Sequence, residues 1–333
     1  MVRIALPLAL LTLAQPAAAP RPAAGPDYSG ASRAAAALPQ LHSLLVSHRG
    51  ELVLEYYAPG RGPGRLANIK SASKSIIATL VGIAIDRGLV KSVEDPIASY
   101  FPEMRRDADK RKLRITVEDL LTMRTGLAST SGENYGPWVS SRNWVQYALS
   151  RPLVSEPGTS MEYSTGTSHL LSALLTRVTR TSTRQFAQNA IGRPLGLTFA
   201  QWPRDPQGIY LGGNEMLMTP RQMITFGNMW LNRGRVEGRQ IVPPAWVDTS
   251  CKPRTRSRWD PDREYGYGWW IQDFGGVEAC FAWGFGGQYI FTFRDPGLVV
   301  VVTSSTAVSD ERHGYRRQLF DLMETHVLRQ TPR

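Results

Sequence analysis

Residues 68–88 read NIKSASKSIIATLVGIAIDRG. Beyond Ser71, apolar residues cover nearly every side of a helix, and Gly88 is of the residue type that commonly ends one. A helix that is apolar on all sides must lie deep in a folded protein. We therefore predict a buried helix that begins at Ser71 and stops at Gly88.

Strand patterns lie on both sides of this helix. Residues 44–57 hold two apolar stretches separated by Arg49-Gly50, which is typical of a β-hairpin. Later strands are predicted at three apolar or aromatic segments, 266–271, 288–293 and 298–303. The last of these is rich in β-branched residues, as expected for a central strand.

Helical patterns fill the middle of the chain. Residues 116–119 have the form of a capping box and predict a helix from Leu120 to Arg124, closed by Gly126. Helical periodicity recurs at 170–175, 223–231 and 309–328. Strands at both chain ends with helices between them predict an α/β (α+β) fold, in which one antiparallel sheet built from the termini is flanked by helices and carries a helical insertion.

The N-terminal segment predicts export. Residues 1–19 begin with one basic residue, continue with an apolar run too short to span a bilayer and end in small residues, which is typical of a signal peptide. An uncleaved apolar tail or short anchor is the alternative. We expect a periplasmic or secreted bacterial protein that is a monomer and keeps no stable membrane insertion after cleavage.

The remaining chain divides by composition. Residues 20–37 are rich in Ala, Pro and Gly and predict a flexible linker. Residues 38–333 predict one folded domain, with its sheet part at about 38–70 and 240–333 and its helical part at about 71–239.

Charge and cysteine content narrow the choice of partners. The formal charge is +11, but the arginines are scattered among acids and no nucleic-acid motif is present, so we expect no nucleic-acid partner. Cys251 and Cys280 are the two cysteines, and in an oxidising compartment they form a disulfide or remain as two inert thiols. No histidine lies near them in sequence, so they do not predict a metal site.

The start of the buried helix carries a candidate nucleophile. Ser71 and Lys74 are three residues apart, which stacks both side chains on one helix face. Serine attacks a carbonyl only when a base removes its proton, and burial lowers the pKa of a lysine toward that role. The helix N-terminus adds a backbone N–H of Ser71 beside the reacting carbonyl. An exposed N-cap serine followed by a solvated lysine is the structural alternative.

The surrounding motifs resemble serine β-lactamases and penicillin-binding proteins over nearly the whole chain after residue 37. Besides residues 68–75, the matching segments in family order are 115–127, 156–159, 161–165, 212–221 and 266–270. The resemblance implies a β-lactamase/transpeptidase-like fold, with residues 38–333 as the catalytic domain. It also implies acyl transfer to water through an acyl-Ser71 intermediate, without a metal or organic cofactor.

The resemblance assigns two more residues to the site. Tyr163 matches the tyrosine of the family's Tyr-x-Asn element, whose phenol relays a proton between Ser71, Lys74 and the leaving group. Thr165 stands where the family has asparagine and retains a hydroxyl that can bind Lys74 or substrate. The alternative for Tyr163 is a core tyrosine with one satisfied hydroxyl.

The family's third element, a cation followed by a hydroxyl residue and glycine, is altered. In its place stand Trp283, Gly284, Phe285 and Gly286, so the cation that binds a β-lactam carboxylate is missing. A main-chain N–H just after Gly284 is the predicted second oxyanion donor, and the glycines also fit a tight bend before a strand. The Gly-x-Gly-Gly-Gln form resembles the branch of aminohexanoate-oligomer hydrolases and β-lactamase-like esterases.

We therefore predict a hydrolase of amide or ester bonds in a small molecule or short peptide. A D-alanyl-D-alanine carboxypeptidase or weak β-lactamase is the alternative within this class, and a non-hydrolytic penicillin-binding-like sensor or scaffold is the alternative outside it. The distance of His169 from Tyr163 in sequence suggests a Ser/His/Asp catalytic triad. We set this interpretation aside because Lys74 and Tyr163 already supply proton transfer. Asp205, Gly208, Gly212 and Gly213 predict either a substrate loop or a structural turn.

Overall fold

The computed structural model describes Val2 and residues 26–308 and 314–332. The predicted signal peptide lies outside these residues except for Val2. Ten α-helices are found there: α1 Ser29–Ala36, α2 Ser73–Asp86, α3 Val117–Leu121, α4 Tyr135–Val139, α5 Trp144–Ser150, α6 Thr165–Thr179, α7 Thr183–Ala187, α8 Pro220–Leu231, α9 Pro244–Ser250 and α10 Tyr315–His326. None of the described helices is long and apolar enough to cross a membrane.

Twelve strands are described: β1 Leu41–His48, β2 Glu51–Tyr57, β3 Ala67–Asn68, β4 Leu217–Met218, β5 Arg235–Val236, β6 Arg239–Gln240, β7 Thr255–Arg256, β8 Glu264–Tyr265, β9 Trp270–Phe274, β10 Val277–Gly284, β11 Gln288–Phe293 and β12 Leu298–Ser304. Eight form one sheet in the order β2-β1-β12-β11-β10-β9-β8-β7, with antiparallel pairing. β1 pairs directly with β12, so both chain ends build the sheet, as predicted.

Apolar residues pack on both faces of this sheet. One cluster joins the sheet to α2, α6 and α8, and the other lies between the opposite face and α1 and α10. All α2 residues from Ser73 to Ala84 are buried, which confirms the predicted depth of this helix. Gly82 is required there because a Cβ would lie 2.4 Å from the Trp246 ring. The predicted central strand is β12, which has neighbours on both sides.

The predicted linker is wrong in its second half. α1 lies within 20–37, and its Ala31 and Ala35 are completely buried. Tyr28 hydrogen-bonds Thr331 through the two hydroxyls at 2.9 Å, which ties this helix to the C-terminus. An alanine-rich stretch lacks large apolar residues, yet alanine has the highest helix propensity and lets a helix pack closely. Residues 20–25 lie outside the described residues.

Other element boundaries also differ from the prediction. Thr116 and Asp119 form the predicted capping box, but α3 begins at Val117 rather than Leu120 and ends at Leu121. Residues 266–269 form a turn instead of strand, because Gly268 has φ 75° and its N–H donates to the Leu121 carbonyl at 3.0 Å. The closing helix begins at Tyr315, and residues 309–313 of the prediction lie outside the described chain.

A disulfide joins the helical layer to the sheet. Cys251, at the C-terminal end of α9, is bonded to Cys280 in β10. Of the two predicted states of these cysteines, the structure therefore has the cross-linked one.

Candidate active site

Ser71 lies in a short 3₁₀ turn, Lys70–Ala72, that leads directly into α2. Lys70 has φ 49°, a left-handed conformation that is uncommon for a side chain of this size. Ser71 is partly exposed, whereas Ser73 is buried and donates its hydroxyl to the Lys70 carbonyl at 2.8 Å. Of these two serines, only Ser71 is placed to meet a substrate.

Lys74 is 3% exposed and follows Ser71 by one helical turn. Its Nζ lies 3.1 Å from Ser71 Oγ and 3.4 Å from Thr165 Oγ1, and it donates to the Gly213 carbonyl at 2.6 Å. Burial lowers the pKa of Lys74 to about 7. A substantial fraction of this amine is therefore neutral near physiological pH and can accept a proton.

Tyr163 completes the predicted trio. Its hydroxyl hydrogen-bonds Ser71, and its ring centroid lies 5.0 Å from Lys74 Nζ. The ring stacks on Trp270 at 5.8 Å between centroids. Burial among these rings raises the pKa of Tyr163 to about 12, so its hydroxyl keeps its proton at neutral pH and can pass one on. The structure thus brings Ser71, Lys74 and Tyr163 together.

Thr165 is held by a loop that the sequence analysis did not identify. Ser131 Oγ accepts from the Thr165 backbone N–H at 2.8 Å and shares a hydrogen bond with Thr165 Oγ1 at 3.0 Å. Ser129 donates to the Tyr163 carbonyl at 2.7 Å. The run of three small hydroxyl residues at 129–131 was the available signal, since such side chains bind neighbouring backbone.

Gly213 is the second feature that the sequence analysis left open. A Cβ on Gly213 would lie 2.0 Å from Ser168 Oγ and 3.1 Å from Lys74 Cγ, so only glycine fits against these two elements. This close approach is what lets its carbonyl reach Lys74. Gly208 lies further back, in a turn with φ 85°.

The altered third element lies at the end of β10. A Cβ on Gly284 would be 2.1 Å from the Ile69 carbonyl, so the strand end rests directly on the backbone that precedes Ser71. Phe285 is half exposed, and Gly286 has φ 91° in the turn to β11, as the tight-bend interpretation predicts. Trp283 is partly buried, with its ring 5.8 Å from that of Trp270.

A buried cation lies beside Trp283 of this element. The Arg263 guanidinium lies 4.8 Å from the centre of the Trp283 ring, and the residue is 2% exposed. It is already paired with Asp260 at 2.8 Å and bonded to Gln272 at 3.3 Å. A lysine introduced at position 283 would therefore lie beside an existing buried cation.

A second polar cluster lies beside Ser71. Lys70 Nζ pairs with Glu215 at 2.6 Å, and Asn68 donates to the other carboxylate oxygen. Both Lys70 and Glu215 have positive φ angles, 49° and 62°. The pair ties the loop that contains Gly213 to the residue immediately before Ser71.

His169 does not form a triad with Ser71. Its Nε2 lies 3.1 Å from Asp205 Oδ2, and its Nδ1 accepts from the Gly212 backbone N–H at 3.3 Å. Both ring nitrogens are thus occupied by partners other than serine. The described residues also contain no group of three or more His, Cys, Asp and Glu placed to hold a metal ion.

Comparisons with known proteins extend over almost the whole described chain. The family model described as Beta-lactamase matches residues 27–322. The 6-aminohexanoate-dimer hydrolase of Paenarthrobacter ureafaciens is 23% identical over 309 residues, covering 83% of this chain and 75% of that protein.

Solved structures show the same fold. A D-stereospecific amidohydrolase from Streptomyces sp. aligns with a TM-score of 0.69 at 20% identity, covering 90% of this chain and 99% of that one. A class C beta lactamase from Rhodobacter sphaeroides also aligns with a TM-score of 0.69 at 20% identity, covering 90% of this chain and 100% of that one.

Proposed function

The chain belongs to the beta-lactamase family, and from that membership we propose that it is a serine hydrolase that cleaves an amide or ester through an acyl-Ser71 intermediate. The observation that supports this most directly is the buried Lys74 amine 3.1 Å from the Ser71 hydroxyl, with its pKa lowered to about 7. A neutral amine in that position is the base that serine requires.

The proposed reaction has two steps. The neutral Lys74 amine takes the Ser71 proton while Oγ bonds to the substrate carbonyl carbon, and the oxyanion is bound by the N–H of Ser71 and a main-chain N–H just after Gly284. Tyr163 gives its proton to the leaving amine or alcohol as the bond from that group to the carbonyl carbon breaks, and it takes back the proton that Lys74 received from Ser71. Water then attacks the acyl ester and gives a proton to Lys74. This proton returns through Tyr163 to Ser71 Oγ as the bond between Oγ and the acyl carbon breaks, which releases the acid and restores Ser71.

Neutral substrates fit this site better than carboxylates. A carboxylate buried without a cation or donors is costly, and the nearby Arg263 is already paired with Asp260. The names of two similar proteins, an aminohexanoate-dimer hydrolase and an amidohydrolase, agree with an amide as the bond that is cleaved. A D-alanyl-D-alanine carboxypeptidase or weak β-lactamase is the competing assignment.

Steady-state turnover of a substrate panel tests this proposal. We expect short-chain p-nitrophenyl esters or linear amides to be hydrolysed with a higher kcat/KM than D-alanyl peptides, penicillins or cephalosporins, and Ser71→Ala to abolish the activity. A preference for benzylpenicillin over every ester and amide would restore the β-lactamase assignment. Binding or acylation without turnover of any substrate would favour the sensor alternative, to which Thr165 and the altered third element both point.

We further propose that the protein acts as a monomer in the periplasm or outside the cell. The Cys251–Cys280 disulfide supports this location because such bonds persist in oxidising compartments. Fractionation of a bacterial expression host tests it: the protein should appear in the periplasm or medium with both cysteines oxidised. Recovery in the cytoplasm with free thiols would contradict it.

A further inference from the structure

A histidine–aspartate pair lies inside the helical layer and takes no part in the proposed reaction. The side chains of His169 in α6 and Asp205 are completely buried, and they are joined by the 3.1 Å contact between Nε2 and Oδ2. The rings of Trp138 and Trp144 lie edge-on to the imidazole at 5.7 and 5.5 Å. A buried polar pair of this kind needs partners for all its polar atoms.

The hydrogen bonds assign the proton of this histidine. Because the Gly212 N–H donates to Nδ1, that nitrogen carries no proton, and Nε2 carries it and donates to the carboxylate. The other oxygen of Asp205 accepts the backbone N–H groups of Gln207 and Ile209 at 2.9 and 2.8 Å. The pair therefore binds the loop from residue 205 to residue 212 at both ends.

The next residue of this loop is Gly213, whose carbonyl accepts from Lys74 Nζ at 2.6 Å. Gly212 itself is pressed against α6, since a Cβ there would lie 2.5 Å from the Ser168 carbonyl oxygen and 2.7 Å from His169 Cα. The Gly212 N–H that His169 accepts lies two peptide units before the Gly213 carbonyl, so this bond helps to fix the course of the chain that leads to that carbonyl.

We propose that His169 and Asp205 are positioning residues for acyl transfer, which hold the Gly213 carbonyl against Lys74 so that the amine lone pair points at Ser71. The proposal rests on the serine-hydrolase function above. A neutral amine has two N–H donors and one lone pair. With the donors directed to the Gly213 carbonyl and Thr165 Oγ1, the lone pair is left for Ser71 Oγ.

The pKa of Lys74 should depend on the contact between its amine and the Gly213 carbonyl. Tyr163, two residues before the start of α6, is the titratable side chain whose ring faces Lys74. Glu215 follows Gly213 by two residues on the loop and is paired with Lys70. The Gly213 carbonyl favours the ammonium form, because a carbonyl can only accept. Withdrawal of that carbonyl should therefore lower the pKa of Lys74 further and change its orientation.

Three substitutions separate positioning from packing. His169→Asn keeps an acceptor near the Nδ1 position for Gly212, whereas His169→Gln reaches Asp205 but leaves Gly212 without that acceptor. Asp205→Asn introduces an amide NH₂ that can take two orientations. If the NH₂ faces Nε2, the histidine proton moves to Nδ1 and opposes the Gly212 N–H. If it faces the loop instead, it opposes the N–H groups of Gln207 and Ile209. Gln188→Leu is the matched control, because Gln188 holds the backbone of Leu197 and Phe199 without contacting Gly212.

The experiment measures the pH dependence of kcat and kcat/KM for a neutral ester, and titrates Lys74 by NMR in protein labelled at the lysine side chain. For His169→Gln and Asp205→Asn we expect kcat to fall roughly tenfold or more with a smaller change in KM. The acid limb and the Lys74 titration should move to lower pH by about 0.5 unit or more. Gln188→Leu should stay near wild type in both readouts, whereas His169→Asn, which keeps the acceptor for Gly212 but loses the bond to Asp205, should lose less kcat than His169→Gln.

The outcomes distinguish this inference from the proposed function. Wild-type titration and kcat in both His169→Gln and Asp205→Asn, or an equal shift in Gln188→Leu, would overturn the positioning role while leaving the hydrolase assignment intact. A wild-type protein without Ser71-dependent turnover would overturn the hydrolase assignment, and the NMR titration would still decide whether His169 and Asp205 control Lys74.

Discussion

The pKa of Lys74 depends on which groups surround its amine. Its described polar contacts are hydroxyl and carbonyl oxygens rather than a carboxylate. The nearby carboxylate of Glu215 is instead paired with Lys70 at 2.6 Å and bonded by Asn68. An anion beside Lys74 would favour its ammonium form and raise its pKa. Burial is therefore the dominant influence on the pKa of Lys74.

The pH dependence of activity follows from that lowered pKa. We expect kcat/KM for a neutral ester to fall as pH drops below about 7, because Lys74 then carries a proton. Lys74→Ala and Tyr163→Phe should each reduce turnover by roughly a hundredfold or more, with circular dichroism unchanged. Near-normal rates in both variants would remove these residues from the mechanism.

Stability should depend on pH through the same residue. The pKa of Lys74 is about 7 when folded and about 10.4 when unfolded. Between these values the unfolded chain binds a proton that the folded chain does not, so the free energy of unfolding rises with pH. Relative to Lys74→Met, wild-type stability should rise from pH 7 to 10 by up to ~1.4 kcal/mol per pH unit. Denaturant unfolding measures this, and a constant difference would contradict it.

Not all of the site was predictable from residue types. Spacing and motif resemblance were sufficient to propose Ser71, Lys74 and Tyr163, because each contributes a side chain. The contact between Lys74 and Gly213 uses a backbone carbonyl, which every residue possesses, so the sequence did not distinguish it. The two adjacent glycines, Gly212 and Gly213, were the sequence feature that indicated this close approach.

At the scale of elements, helix and strand type were predicted better than boundaries. The predicted helix from Ser71 exists, but its first turn is a 3₁₀ turn that begins at the left-handed Lys70. The aromatic segment 266–269 has strand-like composition, yet it turns so that the Gly268 carbonyl accepts from Ser75 in α2 at 2.6 Å. Such tertiary contacts override local preference and are not encoded in periodicity.

The contact between β10 and the turn that contains Ser71 gives a further prediction about activity. Gly284→Ala would place a methyl group 2.1 Å from the Ile69 carbonyl and push the strand end away from Ser71. We expect kcat/KM to fall by roughly a hundredfold, since a displacement of about 1 Å has that effect on a reacting geometry. Gly64→Ala, at a glycine that like Gly284 has no positive φ but has open space around it, is the control for replacing a glycine with alanine. Equal activity in the two variants would contradict the role of this contact.

Across the whole molecule, the sheet joins the two ends of the chain around the helical layer. Pairing of β1 with β12, and of α1 with the C-terminal segment through Tyr28 and Thr331, closes the described domain. The predicted antiparallel sheet is confirmed, and α1 extends the domain toward the N-terminus beyond the predicted start at residue 38. Composition alone concealed this helix because alanine and glycine also occur in linkers.

The disulfide should contribute to the stability of the whole domain. Cys251 and Cys280 are 29 residues apart, and closing a loop of that length stabilises a fold by about 3.6 kcal/mol. A Cys251→Ser/Cys280→Ser double variant should therefore unfold at a lower denaturant concentration but keep activity within a few fold at 25 °C, because β9 and β11 still hold β10. Unchanged unfolding midpoints, or loss of activity in the folded variant, would refute this.

The most direct test of the central claim is the site of covalent labelling. The wild-type protein is incubated with a fluorophosphonate probe, measured by intact mass and digested for peptide mapping. We expect one adduct per chain, located on Ser71 and absent from Ser71→Ala, while the buried Ser73 stays unmodified. Labelling that persists in Ser71→Ala, or that maps to Ser73, would contradict the assignment of Ser71 as nucleophile.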